Sequence, residues 1–104
     1  MSDLAYLAGL VDGEGTISLL MSGASRQQYN IVPGLAVSNT HTGIMDWLTE
    51  TFGGRAYPYN KGTDHRKTCY RWLLQGQAAV DLIRRLRPLL RIKSAQAWLC
   101  EEYW

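Results

Sequence analysis

At 104 residues with 46% hydrophobic side chains, the chain has room for one domain with a modest core, spanning residues 1–104. No apolar run is long enough to cross a bilayer, and the first residues lack the basic-then-apolar layout of a secretory signal. Two cysteines, Cys69 and Cys100, are too few and too far apart for a disulfide framework or a metal knuckle, so both are expected reduced in a soluble intracellular protein, cytoplasmic or organellar. The net charge of +2 hides an uneven distribution: residues 55–93 hold ten basic side chains against Asp64 and Asp81, an excess of +8, while the remainder holds Arg26 alone against seven acids. Such a segment suits either phosphate binding or a solvated surface balanced by the acidic half.

In chain order, Leu4, Leu7, Ala8 and Val11 mark one face of a helix that starts at Ser2 or Asp3 and ends at Asp12. Residues 15–21 and 28–38 read as a hairpin around a polar turn at 23–27, the second strand bent or weakened near Pro33 and Gly34. Ile44, Trp47, Leu48, Thr51 and Phe52 give a second helix, capped by Thr40 or Thr42 and ended by Gly53. A second hairpin follows, residues 55–60 and 67–75, in which Tyr70, Trp72 and Leu74 face the core and Arg71 faces away. A third helix over 77–87 stops at Pro88, and a last one starts near Ile92 with Ala95, Trp98 and Leu99 as its expected buried side. The order αββαββαα predicts an α+β fold with one antiparallel sheet and helices on one of its faces.

Within the first helix, Ala5, Gly9 and Gly13 recur every four residues and leave a second face almost bare of side chains. A glycine inside a helix costs about 1 kcal/mol relative to alanine, so Gly9 calls for a packing reason such as a closely approaching backbone.

The nine residues Leu7-Ala8-Gly9-Leu10-Val11-Asp12-Gly13-Glu14-Gly15 resemble the LAGLIDADG signature almost position for position. Weaker likenesses are the Asn39-Thr40 step, the Phe52-Gly53-Gly54 ending, and Pro88-Leu89-Leu90-Arg91-Ile92-Lys93 followed by Gln96-Ala97. The chain is thus similar to the LAGLIDADG homing endonucleases, single-motif type. That resemblance implies the αββαββα-type fold, its sheet forming a DNA-binding saddle, and a site-specific double-stranded DNA endonuclease (meganuclease) of the kind used in intron homing. It implies cleavage across the minor groove with short 3′ overhangs. A rival within the fold is a catalytically idle nucleic-acid-binding derivative, an intron maturase or a transcriptional regulator.

With a single motif copy, the partner for the bare helix face must come from a second chain. The expected homodimer interface is Ala5, Ala8, Gly9, Asp12 and Gly13. A two-fold axis there brings two Glu14 carboxylates together, which repel unless divalent cations lie beside them. The resemblance makes Glu14 a catalytic residue and metal ligand, assisted by the Gly13 carbonyl, with Mg²⁺ or Mn²⁺ as cofactor and Ca²⁺ binding without supporting cleavage. Asp12 is either near the metal or structural. Lys93 matches the lysine of the family's catalytic pocket. Asn39 matches a water-orienting pocket position, or else caps a helix; a basic residue found four positions further on in some relatives is Gly43 here.

Two antiparallel strands fit the major groove, where base edges are most distinctive. The expected DNA-contacting residues are Ser18, Leu20, Ser22, Arg26, Gln28 and Asn30 on the first hairpin. On the second they are Arg55, Tyr57, Tyr59, Lys61, Arg66, Lys67 and Arg71. No membrane and no small-molecule substrate are expected as partners.

Overall fold

The computed structural model describes residues 2–22, 30–64 and 66–104, without the side chains of Met21, Ser22 and Asn30. Arg26, Gln28 and the expected turn at 23–27 lie outside the described residues. Helix α1 (Asp3–Glu14) begins where the Ser2 hydroxyl accepts the Ala5 N–H at 3.1 Å. It continues two residues past Asp12 and passes into strand β1 (Gly15–Ser22) with no loop between. Gly15 makes that junction possible by close approach. A Cβ there would sit 2.6 Å from Val11 Cα, 2.9 Å from Val11 O and 3.0 Å from Ala36 O. Only a residue without a side chain lets the strand leave the helix so abruptly.

Strand β1 pairs antiparallel with β2 (Asn30–Asn39), from Gly15 opposite Val37 to Ser22 opposite Asn30. β2 then pairs with β4 (Cys69–Gln75), and β4 with β3 (Arg55–Asn60), giving the order β1-β2-β4-β3. Pro33 does not break β2. Its carbonyl accepts the Gly76 N–H at 2.9 Å, so its missing N–H points to the β4 side, one residue beyond the last β2–β4 pair at Gly34. The proline therefore forfeits no ladder bond.

Helix α2 (Thr42–Phe52) is capped by His41, whose Nδ1 accepts the Ile44 N–H at 3.1 Å, and not by Thr40 or Thr42. Met45 and Leu48 are its buried residues, and Thr51 is exposed. Gly53 ends it at φ 82°, and its carbonyl receives the Trp72 indole N–H at 2.7 Å. Trp72 is thus fully buried with its one donor satisfied, so truncating it would cost about 3–5 kcal/mol.

Helix α3 (Gln77–Leu86) leads into a 3-10 turn (Arg87–Leu89) containing Pro88. Helix α4 (Ser94–Tyr103) corrects one expectation: Ala97 and Cys100 are buried, while Ala95, Trp98 and Leu99 are exposed. α4 packs on both α3 and β1, where the small Ala97 and Cys100 side chains permit close approach. Glu101 fixes its rotation, lying 3.0 Å from Arg87 and 3.7 Å from Arg84. Leu7, Val11, Ile17, Leu35, Val37, Trp72, Leu74 and Ile83 all belong to one core, between the helices and one face of the sheet. Among the described residues no helix covers the opposite sheet face. No helix among the described residues is long and apolar enough to cross a membrane.

Candidate active site and open sheet face

Two segments converge on the C-terminal end of α1. The turn at residues 91–93 aims three backbone N–H groups at the Asp12 carboxylate: Arg91 reaches Oδ2 at 2.7 Å, Ile92 and Lys93 reach Oδ1 at 3.1 Å each. Lys93 also turns its ammonium back onto the Asp12 backbone carbonyl at 2.8 Å. Burial works to raise the Asp12 pKa, but the three N–H donors and the Lys93 charge outweigh it and hold the carboxyl below its ordinary value. Helix end and turn are locked together through one acidic residue.

The second segment is the end of β2. Asn39 Nδ2 donates to Glu14 Oε2 at 2.7 Å, while Asn39 Oδ1 accepts the His41 N–H at 3.0 Å. The backbone contact sets which end of the amide faces Glu14. Asn39 therefore grips the carboxylate and does not cap α2, a task that His41 performs. No donor among the described residues reaches Glu14 Oε1. Among those residues no three His, Cys, Asp or Glu side chains cluster as a complete metal site. One chain offers a half-set: one exposed carboxylate, and the backbone carbonyl of Gly13 in the last helical turn, where helix bonding leaves carbonyls unpaired.

The face of α1 bearing Ala5, Tyr6, Gly9, Leu10 and Gly13 lies along a shallow open groove that ends at Glu14. A Cβ placed on Gly9 or Gly13 meets nothing within 4 Å. No contact among the described residues requires either glycine. Ala8, expected on that face, is 2% exposed and belongs to the core; Asp12, also expected there, turns to the 91–93 turn.

On the open sheet face a shallow concavity is lined by Thr16, Ser18, Leu20, Tyr57, Arg71 and Gln75, with Gly34, Ala36 and Leu73 forming its floor. Ser18, Leu20, Tyr57 and Arg71 thus lie on the expected side. Thr16 and Gln75 had been missed, although continuing the same two-residue alternation from Ser18 and Arg71 finds both. Two arginines are steered by tyrosines: Arg71 stands 4.8 Å over the Tyr59 ring, and Arg55 5.7 Å over Tyr57. Arg71 Nε is buried with no hydrogen-bond partner among the described residues. Lys61, Arg66 and Lys67 are exposed in the β3–β4 connection, closed by paired Thr63 and Arg66 backbones. The basic segment is divided by the fold, because Arg84, Arg85 and Arg87 lie in the helical layer and two of them face Glu101.

No family model and no curated protein matches the sequence. Solved structures do. The homing endonuclease I-CvuI, crystallised in complex with its target, matches with TM-score 0.78 and 25% identity over 95% of this chain and 63% of its own. The archaeal intron-encoded homing endonuclease I-Vdi141I, complexed with DNA, matches with TM-score 0.73 and 15% identity over 95% of this chain and 64% of its own. The LAGLIDADG homing endonuclease I-GzeII, in complex with a DNA target, matches at 0.70 and 11% identity over 98% of this chain and 35% of its own. This is the LAGLIDADG homing-endonuclease fold. The chain spans less than two thirds of the I-CvuI and I-Vdi141I chains.

Every position of this chain's LAGLIDADG motif has its own physical task. Leu7, Ala8 and Val11 fill the core, Leu10 packs at its edge, and Gly9 and Gly13 keep the outer helix face bare. Asp12 binds the 91–93 turn, Glu14 presents a carboxylate, and Gly15 admits the strand.

Proposed function

We propose that this chain is one subunit of a homodimeric, metal-dependent, site-specific double-stranded DNA endonuclease. The observation that carries the reading is the end of α1. Glu14, with one oxygen that no donor among the described residues reaches, and the Lys93 ammonium are both anchored there, at the edge of a helix face whose glycines no described residue covers.

A second copy packed on that face would bring two such ends together about a two-fold axis. The half-set of ligands fits a magnesium-type ion, which takes one or two carboxylates and fills its shell with water and phosphate oxygens. Glu14 Oε1 and the Gly13 carbonyl would hold it, and the ion would supply an activated water and charge stabilisation at the leaving oxygen. Asn39 keeps Glu14 from rotating away. Lys93 spends one of its three N–H bonds on Asp12 and keeps two for the charge that develops on phosphate.

The open sheet face supports recognition of a duplex. Its two hairpins match the major groove in shape, and Arg55, Arg71, Lys61, Arg66 and Lys67 supply positive charge. The DNA described with I-CvuI, I-Vdi141I and I-GzeII agrees with this choice of partner. The test is selection from a randomised duplex library at stepped salt, followed by addition of Mg²⁺. The reading expects a long, near-palindromic site whose affinity falls steeply with salt and which is cut once Mg²⁺ is added. Selected duplexes that stay intact in Mg²⁺ would instead leave a nucleic-acid-binding protein without nuclease activity.

A further inference from the structure

We infer that Asp12 is a positioning residue for Lys93 and not a metal ligand. The inference rests on the nuclease reading above and assigns a separate role to the first acid of the motif. Both carboxylate oxygens of Asp12 accept backbone N–H groups from three consecutive residues, at 2.7, 3.1 and 3.1 Å. A carboxylate held from three directions cannot swing to follow a cation without releasing the turn.

That turn is where Lys93 begins. Its N–H is one of the three donors, and its Nζ comes back to the carbonyl of the same Asp12 at 2.8 Å. Asp12 thus holds the lysine at both ends, by the backbone through its side chain and by the ammonium through its backbone. Two residues further on, the same helix bears Glu14. Lysine and carboxylate are thus both anchored within the last turn of α1.

Glu14 is gripped independently, by Asn39 from β2. The two anchors do not share a partner. Loosening Asp12 should displace Lys93 and leave Glu14 and its metal affinity alone. Asp12→Asn supplies the perturbation, since its NH₂ would face one of the three N–H groups, donor against donor, and force the turn to shift. A misplacement of about 1 Å in a reacting group costs roughly 100-fold in rate.

The experiment is a double-mutant cycle on Mg²⁺-dependent, single-turnover cleavage of the selected duplex, using wild type, Asp12→Asn, Lys93→Met and the double variant. Duplex affinity in Ca²⁺ and the Mg²⁺ midpoint of cleavage are measured alongside. The expected result is cleavage slowed about 100-fold in Asp12→Asn, an unchanged Mg²⁺ midpoint, wild-type duplex affinity, and a double variant no slower than Lys93→Met. If Asp12→Asn fails to fold, Asp12→Ser, which still accepts one N–H, takes its place. Effects that multiply in the double variant, or a Mg²⁺ midpoint shifted upward, would overturn the inference. So would wild-type cleavage by Asp12→Asn. A wild-type protein that cuts no duplex would refute the nuclease reading itself, a distinct outcome.

Discussion

Gly9, Gly13 and Gly15 share one motif, and the structure assigns their alanine substitutions opposite signs. At Gly15 an added Cβ meets Val11 Cα at 2.6 Å and two backbone oxygens at 2.9 and 3.0 Å. Backbone atoms of a helix and a strand packed against each other cannot move aside cheaply, so Gly15→Ala should destabilise by about 1–3 kcal/mol. At Gly9 the same Cβ meets nothing within 4 Å, and the residue lies inside α1. Gly9→Ala should therefore gain up to about 1 kcal/mol of helix propensity in the isolated subunit. For a domain of this size that corresponds to a rise in Tm of roughly 4–8 °C. The assay is thermal unfolding across a dilution series, so that subunit stability is separated from assembly. In parallel, Gly9→Leu should sediment as a monomer, because a bulky side chain on that face blocks close helix approach. If dilute Gly9→Ala melts below wild type, the face is covered within the chain. If Gly9→Leu remains dimeric, the interface lies elsewhere.

Glu14→Gln keeps the shape and an acceptor for Asn39 but removes the charge; Mg²⁺-dependent cleavage should fall by orders of magnitude while duplex affinity in Ca²⁺ holds or rises, and unchanged cutting would move the catalytic centre. Arg71→Ala should relax base preference at one position per half-site by about 1–3 kcal/mol if the guanidinium reads a guanine edge; a uniform loss of affinity with a shallower salt slope would mark a phosphate contact, and wild-type behaviour in both would place Arg71 outside the interface. The Asp12 carboxyl has a folded pKa below its ordinary 3.8, so its stabilisation is fully present above that value and is lost as pH falls through the folded one. Urea melts should therefore show wild type more stable than Asp12→Asn at about pH 7, with the gap closing as pH falls below the ordinary 3.8 and through the lower folded value; a gap independent of pH would mean that the carboxylate's charge is not what binds the 91–93 turn.

The sheet and its two faces were legible because strand alternation is strict: once Trp72 and Leu74 point inward, Arg71 must point outward. Helix orientation was less so. α4 carries large apolar residues on its exposed side, Trp98 at 49% and Leu99 at 57%, and small ones against the core, so hydrophobicity alone named the wrong face. The cap of α2 was hidden because His41 works through a ring nitrogen, whereas two threonines beside it had the usual capping chemistry. At the site, the motif and the weaker likenesses beyond it named Asp12, Gly13, Glu14, Asn39 and Lys93, but not the contacts that join them. The contacts from Asp12 to residues 91–93 bridge about 80 positions of sequence, and only the fold brings them together. The charge of residues 55–93 read as one patch because a linear count does not separate β3–β4 from α3.

The claim that two copies of this chain form a Mg²⁺-dependent nuclease is tested most directly by mapping cut positions on both strands of the selected duplex. Wild-type protein in Mg²⁺ should give one nick per strand, placed symmetrically about the centre of the site with short 3′ overhangs. In Ca²⁺ it should bind the same duplex and leave it whole. Cuts unrelated to a two-fold centre, or the same cuts from Glu14→Gln, would contradict the account.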